Sequence, residues 1–343
     1  MPLTIREQIE AVENSVLHPR AARAAGCAGR VVPEEPCPLR TDFQRDRDRI
    51  IHAKSFRRLK HKTQVFLSPQ GDHYRTRLTH TLEVSQIART VARALRLNED
   101  LTEAVALGHD LGHTPFGHAG EKSLREILPG GFSHVDQSVR VVERLEREGH
   151  GLNLTHEVIE GIRAHSKGLG PIVAPTSTLE AQIVRLADLV AYINHDIDDA
   201  MRAGVITPAD LPSGPIGRVG SSHGDRIGTM VGDIIGETIR VGYTHVAMSP
   251  ELEQDCGLLR EFLYARVYFN PGTHAEFIKA AKILRDLYEH YLGRVEQLGE
   301  EYARVAREEG AARAVGDFLA GMTDRFVVQT YERLFIPRPW PVI

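Results

Sequence analysis

LTEAVALGHDLGHTPFGHAGE, residues 101–121, joins a mostly apolar helix to a corner crowded with ionisable side chains. Leu101 to Leu107 has the apolar content of a helix that packs in a core, and His109 and Asp110 follow at its end. A core helix thus delivers an imidazole and a carboxylate together. Such a pair binds a metal or needs other partners, because burying it unpaired is costly. Pro115 and Gly117 break the helical pattern, and the chain restarts with His118, Gly120 and Glu121.

Outward from this corner the pattern stays helical. Leu78 to Leu95 reads as one helix and Glu99 to Leu107 as the next, with Asn98 as its N-cap. Ser133 to Glu148 carries Val135, Val139, Val142 and Leu145 at helical spacing, Thr155 caps HEVIEGIRAH, and Ser177 or Thr178 opens a long helix to about Ala203. Gly and Ser cluster at 213–224 as a loop, and further helices are expected over 226–242, 250–269, 272–308 and 313–335. Towards the N-terminus, residues 4–14 form a short amphipathic helix, followed by a mobile loop from about His18 to Arg40. The block DFQRDRDRIIHAKSFRRLKHKTQ, residues 42–64, is a helix with a strongly basic second half. Arg57, Arg58, Lys60, His61 and Lys62 precede the turn SPQGD and form either a solvated face or a place where phosphate is met. Gln64–Phe66 and Tyr74–Thr76 flank that turn. The fold class is all-α, with at most a small β-hairpin near 64–76.

Composition sets the outer bounds. Hydrophobic residues make up 42% and charged residues 26% of 343, as in ordinary globular proteins with ample chain for a core. A net charge of -4 offers no whole-chain case for nucleic-acid binding. Cys27, Cys37 and Cys256 make neither an even framework nor a CxxC pair, which points to a reducing, cytoplasmic location. With no long apolar run and no apolar leader at the start, neither membrane spanning nor export is expected.

A divalent metal is one use for the crowded corner. His109 and Asp110 offer a nitrogen and an oxygen, His80 in RLTHTLEVSQIA a second nitrogen, and Asp188 in VRLADLVAYINHDIDDA a second oxygen. This mixed set suits Mg, Mn, Fe, Co, Ni or Zn with positions open to water. Alone, His80 reads as a satisfied core histidine. Asp188 stands between Leu186 and Leu189 on an apolar helix, where a carboxylate is costly unless paired or bound.

The order His80, His109-Asp110, Asp188 resembles the H…HD…D signature of the HD-domain phosphohydrolases. RDRDRIIHAKSFRRLKHKTQVF, GDHYRTRLTHTLEVSQIART, ALGHDLGHTPFGHAGE and ADLVAYINHDIDDA narrow the resemblance to the bacterial deoxyguanosine triphosphate triphosphohydrolase-like proteins, whose animal relative is the sterile-alpha-motif/HD-domain dNTP triphosphohydrolase. The likeness runs from about residue 40 to 200, with a weaker echo at EFLYARVY. It implies an all-helical HD-domain fold, a metal on those four ligands, and hydrolysis of dNTPs, dGTP among them, to deoxynucleoside and inorganic triphosphate. On this basis residues 1–42 form an N-terminal helix and loop, 43–212 the catalytic core and 213–343 a helical region packing on it.

Roles for other residues follow from chemistry and from the resemblance together. His118 and Glu121 stand three apart on a restarting helix, so Glu121 can orient the His118 imidazole for proton transfer. The plainer alternative has Glu121 stabilising a helix N-terminus and His118 merely exposed. His113 and His134 match phosphate-contacting histidines of the family, and Arg77 an α-phosphate contact. Tyr192 and Asp196 follow Asp188 at steps of four on one helical side. The resemblance implies that they hold the deoxyribose, with Gln64 near sugar and base and Val65 crowding the 2′ position. Asp198 and Asp199 read as a solvated face. Leu189 stands where the animal enzyme has a lysine, so Arg57, Arg58, Lys62 or Arg266 must neutralise the triphosphate. The resemblance also implies a homo-oligomer and a dNTP activator.

Three other readings use the same residues. One is an HD reaction on a monophosphate or signalling nucleotide. A zinc peptidase would exploit the i, i+4 spacing of His109 and His113, although Asp110 stands where that motif has Glu. The third is a nucleotide-sensing or single-stranded nucleic-acid-binding protein using the basic 45–62 segment.

Overall fold

The structure is a computed structural model that describes residues 2–65, 74–165, 178–268 and 270–337. Among these the regular elements are all helical, with isolated antiparallel bridges at Arg30–Thr155 and Thr63–Thr76. The second bridge is what stands at the expected hairpin; the turn SPQGD lies outside the described residues. No described helix is long and apolar enough to cross a membrane.

The principal helices are α1 (Ile5–Val16), α2 (Asp42–Ile51), α3 (Arg77–Ala94), α4 (Glu99–Gly108), α5 (Gly117–Ile127), α6 (His134–Arg140) and α7 (His156–Ala164). They continue as α8 (Leu179–Arg202), α9 (His223–Arg240), α10 (Pro250–Leu263), α11 (Pro271–Leu292), α12 (Glu300–Glu309), α13 (Ala311–Gly321) and α14 (Asp324–Phe335). Asn98 caps α4 by accepting from the Leu101 amide at 3.1 Å, and Thr178 caps α8. Thr155 precedes α7 without capping it, because its hydroxyl is spent on Asp46.

Several expected helices are divided. The 42–64 block breaks after Ile51 and resumes over Lys54–Arg58. The 272–308 run ends at Leu292 and restarts after Gly299, whose φ of +89° leaves the helical region. The 313–335 run splits at Thr323, whose side chain caps α14. Ser213–Val219 is helical where a loop was expected. Helical spacing carries no signal of such breaks when the apolar rhythm resumes in phase.

Two apolar clusters drive folding by removing hydrocarbon from water. The larger joins α3, α4 and α8 through Val84, Ile87, Val91, Leu101, Val105, Ile183 and Ile193, and extends to Leu259 and Leu263 of α10. The smaller sets Leu124 and Leu128 against Leu284 and Leu287 of α11, Val315 and Leu319 of α13 and Val327 of α14. The corner at 109–117 lies between them.

The segment between α1 and α2 is tied down by charge. Arg30 reaches Asp42 at 2.9 Å and pairs with Asp46, whose other oxygen accepts from the Thr155 amide and hydroxyl at 2.7 Å each. Asp46 is fully buried. Asp46→Ala takes from the buried Arg30 guanidinium its fully buried carboxylate, leaving Asp42, and is expected to lower unfolding free energy by about 3–5 kcal/mol. Denaturant titration checks this, and a loss below about 1 kcal/mol would assign the cluster to ordinary surface pairing.

Candidate active site

Helices from across the fold bring polar side chains to, or just behind, one cavity of about 560 Å³. From α3 come Arg77 and His80, one turn apart. His109 and Asp110 follow the end of α4, Asp188 and Tyr192 sit on α8, and His118 and Glu121 on α5. His134 opens α6 and His165 follows α7.

The loop after α4 is held close to its neighbours. A Cβ on Gly112 would lie 2.1 Å from the Ser138 amide nitrogen, and one on Gly120 would lie 2.0 Å from the Pro115 carbonyl oxygen. Only glycine permits these approaches. Phe116 takes φ +63°, and its amide donates to Asp324 Oδ1 at 2.9 Å. α4 has ended at Gly108, so His109 and His113 do not share the helical face a zinc peptidase motif needs.

His80, His109, Asp110 and Asp188 converge. His80 Nε2 lies 3.1 Å from Asp188 Oδ1 and 4.0 Å from Asp110 Oδ2. His109 Nε2 lies 3.3 Å from Asp110 Oδ1 and 3.8 Å from Asp188 Oδ1. His109 Nδ1 sits 2.6 Å from the Ala106 carbonyl, which can only accept. The proton is therefore on Nδ1, and Nε2 of the neutral ring presents a lone pair. This nitrogen is buried and, among the described residues, has no hydrogen-bond partner. A lone pair facing two carboxylates is a contact that a cation between them makes favourable. A backbone carbonyl on the far ring nitrogen is also the usual support of a metal-bound histidine. The four residues thus fit a divalent metal.

Electrostatics agrees with this arrangement. Burial acts to raise the Asp110 pKa, but the His109 and His113 imidazoles in their protonated forms, together with Arg77, outweigh it and hold the carboxyl well below the usual range, as a cation at the same place would. Burial opposes the Asp188 carboxylate in the same way, and the His80 hydrogen bond with the nearby imidazoles lowers it. Arg77 donates to Asp110 Oδ2 at 2.9 Å and to the Thr63 carbonyl at 3.2 Å, which fixes its guanidinium at the cavity.

Glu121 faces His134 more closely than His118. Its carboxylate takes the His134 amide at 3.1 Å and Nδ1 at 3.0 Å, while His118 Nδ1 stays at 3.8 Å with its side chain 61% exposed. Glu121 thereby stabilises the N-terminus of α6, a neighbouring helix, and orients an imidazole in the same contact. Burial would raise its pKa, but the nearby His118 and the hydrogen-bonded His134 hold it far below the carboxylate range. The His134 ring stacks on His113 with centroids 4.1 Å apart.

Gln64 and Tyr192 line the cavity, whereas Val65 is packed in the main core. Asp196 is buried one turn beyond Tyr192 and accepts from the Tyr268 hydroxyl. Burial pushes its carboxyl up to about 7, against that hydrogen bond. Tyr268 lies within the EFLYARVY echo and was not singled out. Asp198 and Asp199 are no solvated face: both pair with Arg75 at 2.8 Å, and Asp199 is 1% exposed.

The cations expected on the triphosphate lie elsewhere. Lys62 is buried and donates to the carbonyls of His113 and Ala320, and burial pushes its ammonium down to about 7. Arg57 bonds the His52 carbonyl, Arg58 lines a separate cavity beside Tyr302, and Arg266 pairs with Asp210. Arg125, Arg185 and Arg260 line the cavity instead. One signal was available for Arg185: it stands three before Asp188, as Arg77 stands three before His80. His165 and His195 were also missed. His195 Nδ1 lies 3.4 Å from His80 Nδ1, behind the cavity.

Comparison with known proteins gives this geometry a family. The HD domain model matches residues 77–193, and the phosphohydrolase-associated domain model residues 246–333. A deoxyguanosinetriphosphate triphosphohydrolase-like protein of Caldanaerobacter subterraneus subsp. tengcongensis is 54% identical over 98% of both chains. The chain belongs to the deoxyguanosinetriphosphate triphosphohydrolase-like family. A second member, from Desulfatibacillum aliphaticivorans, is 52% identical over 98% of this chain and 99% of its own. A hypothetical protein from Aquifex aeolicus, of known structure, is similar at 20% identity with a TM-score of 0.46, over 84% of this chain and 71% of that one. As a member of this family the chain is an HD-domain hydrolase, and its His and Asp cluster is able to hold a divalent metal.

Proposed function

We propose that the protein hydrolyses deoxynucleoside triphosphates to deoxynucleoside and inorganic triphosphate, with a divalent metal on His80, His109, Asp110 and Asp188. The observation that carries this reading is the His109 Nε2, without a hydrogen-bond partner among the described residues, set against Asp110 and Asp188 on the wall of a cavity large enough for a nucleotide. When bound, the metal polarises the α-phosphate and lowers the pKa of water.

The chain's own residues do the rest. Arg77, locked by Asp110 and Thr63, meets the α-phosphate, and Arg125, Arg185 and Arg260 bring positive charge to the remaining phosphates. The stacked rings of His113 and His134 line the same wall. Tyr192, Gln64 and the Tyr268-bonded Asp196 hold the deoxyribose. Val65, behind this lining, acts on the 2′ position only through Gln64.

Departure of the 5′-oxygen requires a proton. His118 is the imidazole in the cavity that solvent can recharge, and Glu121 at 3.8 Å is the carboxylate that steadies it once substrate closes the gap. His118→Ala is expected to keep its metal and lose turnover by about 10²–10⁴-fold. A fully active variant would remove His118 from the mechanism.

Incubation with each dNTP and rNTP under Mg, Mn, Fe, Co, Ni and Zn, with product separation by ion exchange, tests the reaction. Release of intact triphosphate from dNTPs is the expected result. Orthophosphate without triphosphate would sink the assignment.

A further inference from the structure

We propose that His165 is a further catalytic residue, whose Nε2 holds the water that attacks the α-phosphorus. The inference rests on the triphosphohydrolase reading above and adds to it the group that aligns the nucleophile. His165 closes α7 at 1% exposure, and its ring lines the cavity. Its Nδ1 lies 2.6 Å from the Ile162 carbonyl. That oxygen only accepts, so Nδ1 carries the proton and Nε2 of the neutral ring is an acceptor without a donor. Nε2 is buried and, among the described residues, has no hydrogen-bond partner. An acceptor left so carries the desolvation penalty of its burial, which something bound in the cavity has to offset.

What meets it is decided by chemistry. His109 uses the same device, with Nδ1 on the carbonyl three residues earlier, but its Nε2 faces carboxylates and so suits a cation. Among the described residues His165 has no ion pair with a carboxylate. Phosphate oxygens are themselves acceptors, and a lone pair repels them. A water O–H is the donor that fits. The position agrees, because the His165 ring lies 5.0 Å from that of His109, at the metal end, and 5.4 Å from that of His134, at the Glu121 end. A nucleophile for the α-phosphorus has to sit between those two ends. In the step itself the water oxygen bonds to phosphorus and the bond from phosphorus to the 5′-oxygen breaks. The 5′-oxygen takes a proton from His118, and the water's proton leaves along the hydrogen bond to Nε2.

The test compares wild type, His165→Ala and His165→Gln for thermal unfolding, bound metal, kcat and KM. Triphosphate release by the wild type is measured first, so a failure of the reaction assignment shows there and a failure of the His165 role shows only in the variants. Alanine is expected to keep wild-type metal, hold KM within about threefold and lower kcat by about 10²-fold or more. Glutamine offers a carbonyl to the same water and is expected to recover about tenfold of that loss. Loss of metal would make His165 a ligand, and a KM increase with unchanged kcat would make it a phosphate contact; either result overturns the proposal, as does an unchanged kcat. Should the alanine variant not fold, the glutamine variant decides alone: a kcat deficit with metal and KM retained supports the proposal, and any other pattern overturns it.

Discussion

Replacing His109 with alanine is expected to remove bound metal and hydrolysis together while leaving the helical fold in place. His109 is fully buried, and its Nε2 stands 3.3 Å from Asp110 Oδ1 and 3.8 Å from Asp188 Oδ1. Without it, those carboxylates and His80 remain, but the donor set loses a member that the Ala106 carbonyl orients. Loss of an outer supporting group costs a metal site roughly 10–100-fold in affinity, and loss of a ligand itself should exceed that. Asp188→Ala should behave alike, because it removes the oxygen contributed by α8. Metal analysis after gel filtration reads the first effect and dNTP turnover the second. A third readout needs no activity. A metal at 100 times its Kd stabilises the folded state by about 2.7 kcal/mol, so added metal should raise the wild-type Tm and leave that of His109→Ala unmoved. Full metal occupancy in His109→Ala would refute the ligand assignment.

The second large effect is expected far along the chain, at Asp324. This carboxylate is 3% exposed and accepts from the amides of Thr63 and Phe116 at 2.9 Å each, and from the Thr63 hydroxyl. It lies within the phosphohydrolase-associated match, yet it holds the turn that leads to His118 and Glu121. Lys62 reinforces the junction by bonding the His113 and Ala320 carbonyls. Asp324→Ala leaves buried donors unsatisfied, at about 1–3 kcal/mol each. It also frees Phe116 from a left-handed conformation that costs on the order of 1–3 kcal/mol. The expected outcome is a Tm decrease with a fall in kcat of about 10-fold or more, while metal is retained, because the proposed ligands are anchored by α3, α4 and α8. Asp324→Asn, which keeps one acceptor, should be intermediate. Unchanged kcat in a folded alanine variant would show that the C-terminal helices do not position this corner.

Local sequence was sufficient for some of this. An apolar run ending in His109-Asp110, a histidine and an aspartate on other apolar helices, and a Pro-Gly break are features of neighbouring residues, legible without knowing how the helices pack. The caps at Asn98 and Thr178 are local for the same reason: a cap satisfies amides within its own turn. What lay beyond reach depended on which helix packs across from which. Glu121 faces His134 across a turn between helices, and Lys62 and Asp324 meet the corner through partners distant in the chain. Arg57, Lys62 and Arg185 look alike as charged side chains on helices, but packing exposes the first, buries the second and turns the third into the cavity. Sequence by itself determined an all-helical chain, because helices are written in short-range periodicity, and its resemblance to the HD-domain phosphohydrolases pointed to a set of candidate ligands. Only the tertiary structure decided which charges are spent on carbonyls, which face the cavity, and which lone pairs are left without a partner. Those outcomes depend on distances between segments that no local pattern encodes.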